Sequence, residues 1–310
     1  MTTVTLSDNV LREATLTISC LMTLFGATGN TFSLYFFLSR VDLTGRPARN
    51  RDSATSQLFV SLNCFDLLVC VSCFSISLYK LILPDEDDLF HNIMDAIFFL
   101  AEEMTYFIVC LLSIRRLINL VWPLYLVNKM SMNIAIVIFT LLLILLELLH
   151  WTLMSGFKNM VDLVDRVRSL IRLLLILIII FSSIMSFIKL NRSYTQHHHK
   201  LIRYATVTTG ILATIFCACN TAPMIASGFY AFHQAGKKSV SRELHYAFFH
   251  VLVPLNSTCN PLVYLSRRAD MRSFFLEKWG NLSGRFRCVC SQAGDIMQEK
   301  NTVKRDQSSC

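Results

Sequence analysis

The sequence predicts an all-α membrane protein: a seven-transmembrane helix bundle followed by a short amphipathic C-terminal surface helix. Three observations predict it. Of 310 residues, 54% are hydrophobic and only 16% charged, against about 25% charged in a typical soluble domain. The apolar residues come in blocks of roughly the 20 residues that a bilayer-spanning helix needs. Backbone groups in lipid must be paired within their own segment or within a closed barrel, and at this length and hydropathy that leaves helices.

The blocks follow one another with short loops between them. Span one runs from about Ala14 to Ser39 without a charge, and an arginine-rich loop follows from Arg40 to Asp52. Span two covers about Ala54 to Tyr79 and holds one charge, Asp66. After the acidic run Asp85 to Asp88 comes span three, about His91 to Val121, which carries Asp95, Glu102 and Glu103 and ends on Arg115 and Arg116. Span four is about Ser131 to Phe157. A short charged loop is expected before span five, about Ser169 to Leu190. Span six, Tyr204 to Phe232, has no Asp, Glu, Lys or Arg, and span seven is about Leu244 to Ser266. Residues 1–266 are expected to form a single domain. Residues 267–310 supply the surface helix, with Phe274, Phe275 and Trp279 in the membrane interface, and a tail.

Charge placement sets the orientation. The net charge is +8, which in a soluble protein would suggest nucleic acid. Here the basic residues flank spans, so the expected partner is the lipid bilayer and no nucleic acid. Most of the arginines and lysines fall on one side if the N-terminus is outside and the C-terminus cytoplasmic, which predicts a multi-pass protein in the plasma membrane. Eight of the 11 cysteines lie inside apolar runs and three in the tail, so no disulfide framework is expected. Cys288 and Cys290 flank the surface helix, a context for lipidation. No Ser-His-Asp set or metal-ligand spacing appears in the spans, so no catalytic residue is assigned and no enzyme is expected. His197 to His199 read as a solvated turn rather than a metal site.

Span seven contains Asn256-Ser257-Thr258-Cys259-Asn260-Pro261-Leu262-Val263-Tyr264. Pro261 removes a backbone hydrogen bond and kinks the helix, and neighbouring asparagines are suited to re-satisfy the freed group. With Gly29-Asn30 in span one, Ser61 to Leu68 around Asp66 in span two, Arg115-Arg116-Leu117 before Trp122-Pro123-Leu124, and Pro223 in span six, the chain resembles the rhodopsin-like (class A) G protein-coupled receptors. The order and spacing of these segments, from Gly29 to Tyr264, carry the resemblance. The departures mark a divergent member: Arg115-Arg116-Leu117 stands for the family's Asp-Arg-Tyr, Asn220-Thr221-Ala222-Pro223 for its Cys-Trp-x-Pro, and His91 for its span-three cysteine.

The resemblance implies a receptor that passes an extracellular ligand signal to a heterotrimeric G protein by helix rearrangement. It implies a ligand site at Asp95, Phe98, Phe99, Glu102 and His250. It implies an activation switch at Arg115, Arg116, Arg203, Pro223, Asn260, Pro261 and Tyr264. Phe98 occupies the position at which amine receptors carry aspartate, which excludes a direct amine-receptor assignment. An allosteric sodium ion at Asp66, Thr105, Asn256 and Asn260, with Asn30 alongside, is implied too. The alternative is a hydrogen-bonded polar knot around Asp66. Glu147 and His150 of span four could face the same cavity, and for all these acids the alternative is an internal network with Arg168, Arg172 or each other. Because arginine replaces both acidic restraints of the motif arginine, at Arg115 and about Arg203, elevated ligand-free activity is expected. Two other functions stay open: a seven-span scaffold without G protein coupling, and an ion channel or transporter.

Overall fold

The computed structural model describes residues 2–40, 53–83, 89–121, 134, 136–145, 158–192, 206–222 and 240–278. Among them the regular structure is entirely helical: α1 (Thr2–Arg40), α2 (Ser53–Ile82), α3 (Leu89–Val121), α4 (Ile136–Leu145), α5 (Lys158–Arg192), α6 (Thr206–Ala222), α7 (Val240–Arg267) and α8 (269–278). Among the described residues four helices are long and apolar enough to cross a membrane, over Val10–Ser39, Thr55–Ile82, Asn92–Val121 and Val167–Asn191. The described parts of α4 and α6 are shorter apolar helices, and α7 is 28 residues long with Pro254 and Pro261 inside it.

The charged stretch expected to be a loop before Ser169 is instead helical, since α5 begins at Lys158. Nothing between Lys158 and Arg192 is Gly or Pro, so the polar residues change what the helix faces without ending it. Likewise α1 begins at Thr2, well ahead of the apolar block.

The outward faces are apolar, unlike those of a soluble bundle. On α1 small or polar residues turned inward recur every three or four positions, Thr15, Ser19, Thr23, Gly26, Asn30 and Ser33, with Leu16, Phe36 and Phe37 buried beside them. Leu21 and Phe25, on the opposite face, are 65% and 57% exposed, whereas Thr23 and Asn30 are 0% exposed. On α5, Leu170, Leu173, Leu174, Leu177 and Phe181 face outward, while Arg168, Ser182 and Ser186 are buried. In water so many outward leucines would be unfavourable; in lipid they carry no penalty, because tails solvate leucine as well as the interior does. The chain therefore reads as membrane-embedded.

In the first of two compact units, Met1–Tyr264, α1 packs on α2, α2 on α3 and α3 on α5. Small residues let α1 approach its neighbours closely. A Cβ on Gly26 would meet Thr258 Oγ1 at 2.5 Å and Cys70 Sγ at 2.7 Å, and one on Gly29 would meet the Pro261 ring at 3.0 Å. An apolar cluster of Val69, Cys73, Ile76, Phe98, Ala101 and Val253 joins α2, α3 and α7. The α3–α4 seam holds the stacked rings of Phe107 and Phe139, 3.9 Å apart, and the α3–α6 seam the edge-on pair Tyr106–Phe216 at 4.7 Å.

The second unit, Leu265–Cys310, is described through α8. Arg268 makes a forked pair with Asp270, Nε–Oδ1 3.3 Å and Nη2–Oδ2 3.1 Å. That holds an acid in the first turn, where the helix dipole favours it. Lys278 lies 5.6 Å from the Phe274 ring centroid, one turn back. Phe274 and Phe275 are half-buried. Trp279, Cys288 and Cys290 lie outside the described residues, as do Arg203 and Pro223.

Candidate functional site

Asp66 is fully buried on α2 and accepts hydrogen bonds from two other helices. Ser257 Oγ donates to Oδ1 at 2.9 Å, Asn260 Nδ2 to Oδ2 at 2.6 Å, and Thr105 Oγ1 to Oδ1 at 3.5 Å. The carboxylate thus ties α2 to α3 and α7. Of the expected partners, Thr105 and Asn260 are present. Asn256 is not among the described hydrogen-bond partners of Asp66, and Ser257, which sequence reasoning missed, takes that role. Asn256 is buried one turn before Asn260, and its Oδ1 has no hydrogen-bond partner among the described residues.

The proline at position 261 inside α7 explains Asn30. Proline lacks the N–H that would bond the carbonyl four residues back, which here is Ser257. Asn30 Nδ2 from α1 donates to that carbonyl at 3.0 Å. The freed group is satisfied by α1 and not by the asparagines of α7 itself. The hydroxyl of Thr258 back-bonds within its own helix, donating to Pro254 O at 2.8 Å, and also reaches Met22 O of α1 at 3.2 Å. Tyr264, which closes the motif, is fully buried with its ring edge-on to Phe37 (5.6 Å) and Phe59 (5.4 Å).

The two arginines of α3 diverge. Arg115 is buried and its Nε donates to Thr55 Oγ1 of α2 at 3.1 Å. Arg116 is half-buried and its Nε donates to Thr209 Oγ1 of α6 at 3.2 Å. Arg115 thus turns to a different helix from Arg116, which has a hydroxyl acceptor on α6; Arg203, the other arginine expected beside Arg116, lies outside the described residues.

A second polar centre joins α3 to α5. Glu102 and Glu103 are both buried. Arg172 Nη2 lies 3.2 Å from Glu102 Oε2 and 3.1 Å from Glu103 Oε1, and Arg168 Nε lies 3.9 Å from Glu103 Oε1. Two carboxylates and two guanidiniums make a neutral set, the form in which charge is tolerated inside a membrane. Glu102, expected at a ligand site, belongs to this network. Phe99 borders it, with its ring centroid 5.9 Å from Arg172 Cζ. Phe98 instead packs in the α2–α3–α7 apolar cluster. Asp95 is half-buried near the start of α3, and His250 is buried on α7; neither belongs to the four-charge set. Glu147 and His150 lie outside the described residues.

No protein-family model matches the chain, and no curated protein matches it.

Proposed function

We propose that the chain is a rhodopsin-like receptor with seven spans and an extracellular N-terminus, which passes a ligand signal to a heterotrimeric G protein. The observation that carries this reading is the Asn260–Asp66 hydrogen bond of 2.6 Å. It joins two segments, on α2 and α7, that were each singled out as receptor-like by sequence. Asp66, Asn260 and the Pro261 hinge make a polar joint between helices. A polar joint in lipid is directional and has few alternative partners, so it suits a two-state rearrangement. Arg116, bonded to α6, is the group that an opening between α3 and α6 would release.

The oxygens around Asp66 fit a small hard cation. The Asp66 carboxylate and the hydroxyls of Thr105 and Ser257 would hold sodium, which would neutralise Asp66.

The test is nucleotide exchange. Purified full-length chain in lipid nanodiscs is mixed with G proteins of each class, and uptake of a non-hydrolysable GTP analogue is followed, with Arg116→Ala as the control. Exchange above the control supports the reading. No exchange with any class, with or without a ligand library, counts against it. Topology is read separately: a tag after Met1 should label on intact cells, and one after Cys310 only after permeabilisation.

A further inference from the structure

Arg172 is held as a ligand would be held. Its Nη2 is shared between Glu102 and Glu103 at 3.2 and 3.1 Å. Its Cζ lies 5.9 Å from the ring centroids of both Phe99 and Tyr106. Paired carboxylates framed by aromatic faces are the recognition set for an organic cation. All four residues belong to α3, at positions 99, 102, 103 and 106, so they share a stretch of one helix whatever fills the space between them. The arginine that fills it comes from α5.

The resident cation fits incompletely. A guanidinium has five N–H donors in a planar fork and binds carboxylates best through two parallel bonds. Arg172 offers one nitrogen to both acids, and its buried Nε has no hydrogen-bond partner among the described residues. Beside it lies a cavity of about 10 Å³, lined by Glu103, Tyr106, Arg168, Arg172 and apolar residues of α4 and α5. That is room for about one water, or for a guanidinium plane to shift. The reach of the α5 side chain sets the approach of Arg172, and a free cation is not so constrained.

We propose that Glu102 and Glu103, framed by Phe99 and Tyr106, form a binding site for a small planar cation of the guanidinium or amidinium class, and that Arg172 is its built-in occupant. An external cation binds by displacing Arg172. The apparent affinity of the wild type is lowered by the fraction of time the arginine is in place. The proposal deepens the receptor reading by naming a ligand class, and it rests on that reading only for the consequence of binding.

The experiment uses full-length chain in nanodiscs, with methylguanidinium as probe and urea, its uncharged planar analogue, as control. Thermal unfolding is measured against probe concentration for wild type, Arg172→Ala, and Arg172→Ala combined with Glu102→Gln and Glu103→Gln. Methylguanidinium should stabilise Arg172→Ala saturably, urea should not, and the added Gln substitutions should remove the effect. The wild type should need at least about tenfold more probe, corresponding to an arginine in place about nine-tenths of the time. Arg172→Lys keeps the charge but loses the fork and should fall between wild type and Ala; it serves if the Ala variant does not fold. The proposal is overturned if methylguanidinium does no more than urea in the Arg172 variants, or if the Gln substitutions leave binding intact. No arm depends on nucleotide exchange. Saturable binding with no exchange would sink the receptor reading and keep the site, and exchange without binding would do the reverse.

Discussion

Thr209→Val removes one hydroxyl and almost no volume, and so tests how Arg116 is held. The bond it deletes, Arg116 Nε to Thr209 Oγ1 at 3.2 Å, links α3 to α6. Side-chain hydrogen bonds between membrane helices average about 0.6 kcal/mol and reach about 1.7 kcal/mol. If the bond exists only in the resting arrangement, its loss shifts the resting-to-active ratio by about threefold to about twentyfold, since 1.4 kcal/mol is a factor of ten. The half-buried position of Arg116 argues for the middle of that range, about fivefold. On the proposed receptor function, ligand-free nucleotide exchange, normalised to the amount of protein reconstituted, should rise by that factor in Thr209→Val. Thr209→Ser, which keeps the hydroxyl, should stay near wild type. Equal basal exchange in wild type and Thr209→Val, in a system where Arg116→Ala abolishes exchange, would refute the idea that this hydroxyl restrains the arginine.

Asp66→Leu deletes the acceptor for three buried donors, so thermal unfolding in nanodiscs should show a loss of about 2 kcal/mol, at about 0.6 kcal/mol per bond. Asp66→Asn keeps an acceptor and should lose less than half as much, and equal losses would mean that charge and not hydrogen bonding organises the joint. Gly26→Ala places a methyl 2.5 Å from Thr258 Oγ1 and 2.7 Å from Cys70 Sγ. Forcing α1 away from its neighbours should cost about 1–3 kcal/mol, seen as lower melting temperature and faster labelling of Cys70 by a thiol dye. Glu103→Ala leaves Arg172 and Arg168 with one carboxylate between them. Breaking a buried ion pair costs about 3–5 kcal/mol, so the folded yield should drop sharply, and Glu103→Ala combined with Arg168→Met should recover part of it.

The apolar blocks made the long helices legible, because a run of about 20 apolar residues has few other fates. Their ends were less so. The polar start of α5 looked like a loop because charge was taken as a boundary, although the absence of Gly and Pro after Lys158 was the better guide. Asp66 and Asn260 were legible as a joint because a buried carboxylate needs donors and the motif supplied one. Ser257, Thr55 and Thr209 were not. Hydroxyl residues are scattered through these spans, and most bond their own helix: Thr31 donates to Ala27 O and Ser72 to Leu68 O. Which few turn outward depends on helix rotation, which spacing alone does not give. The choice of Glu102 for Arg172 was open for the same reason, since Asp95 lies on a similar face of α3 two turns earlier.

The neutral set between α3 and α5 has a consequence for how the chain is made. During synthesis α3 emerges before α5, so Glu102 and Glu103 reach the membrane ahead of Arg168 and Arg172. At about 3 kcal/mol for each charge near a helix centre, α3 alone carries about 6 kcal/mol against insertion until its counter-charges arrive. The insertion machinery must therefore shelter α3, or let it enter with protons on its acids, until α5 follows. A chain stopped after α4 would hold Glu102 and Glu103 in α3 without their counter-charges, and α3 should then insert less completely than α1 and α2.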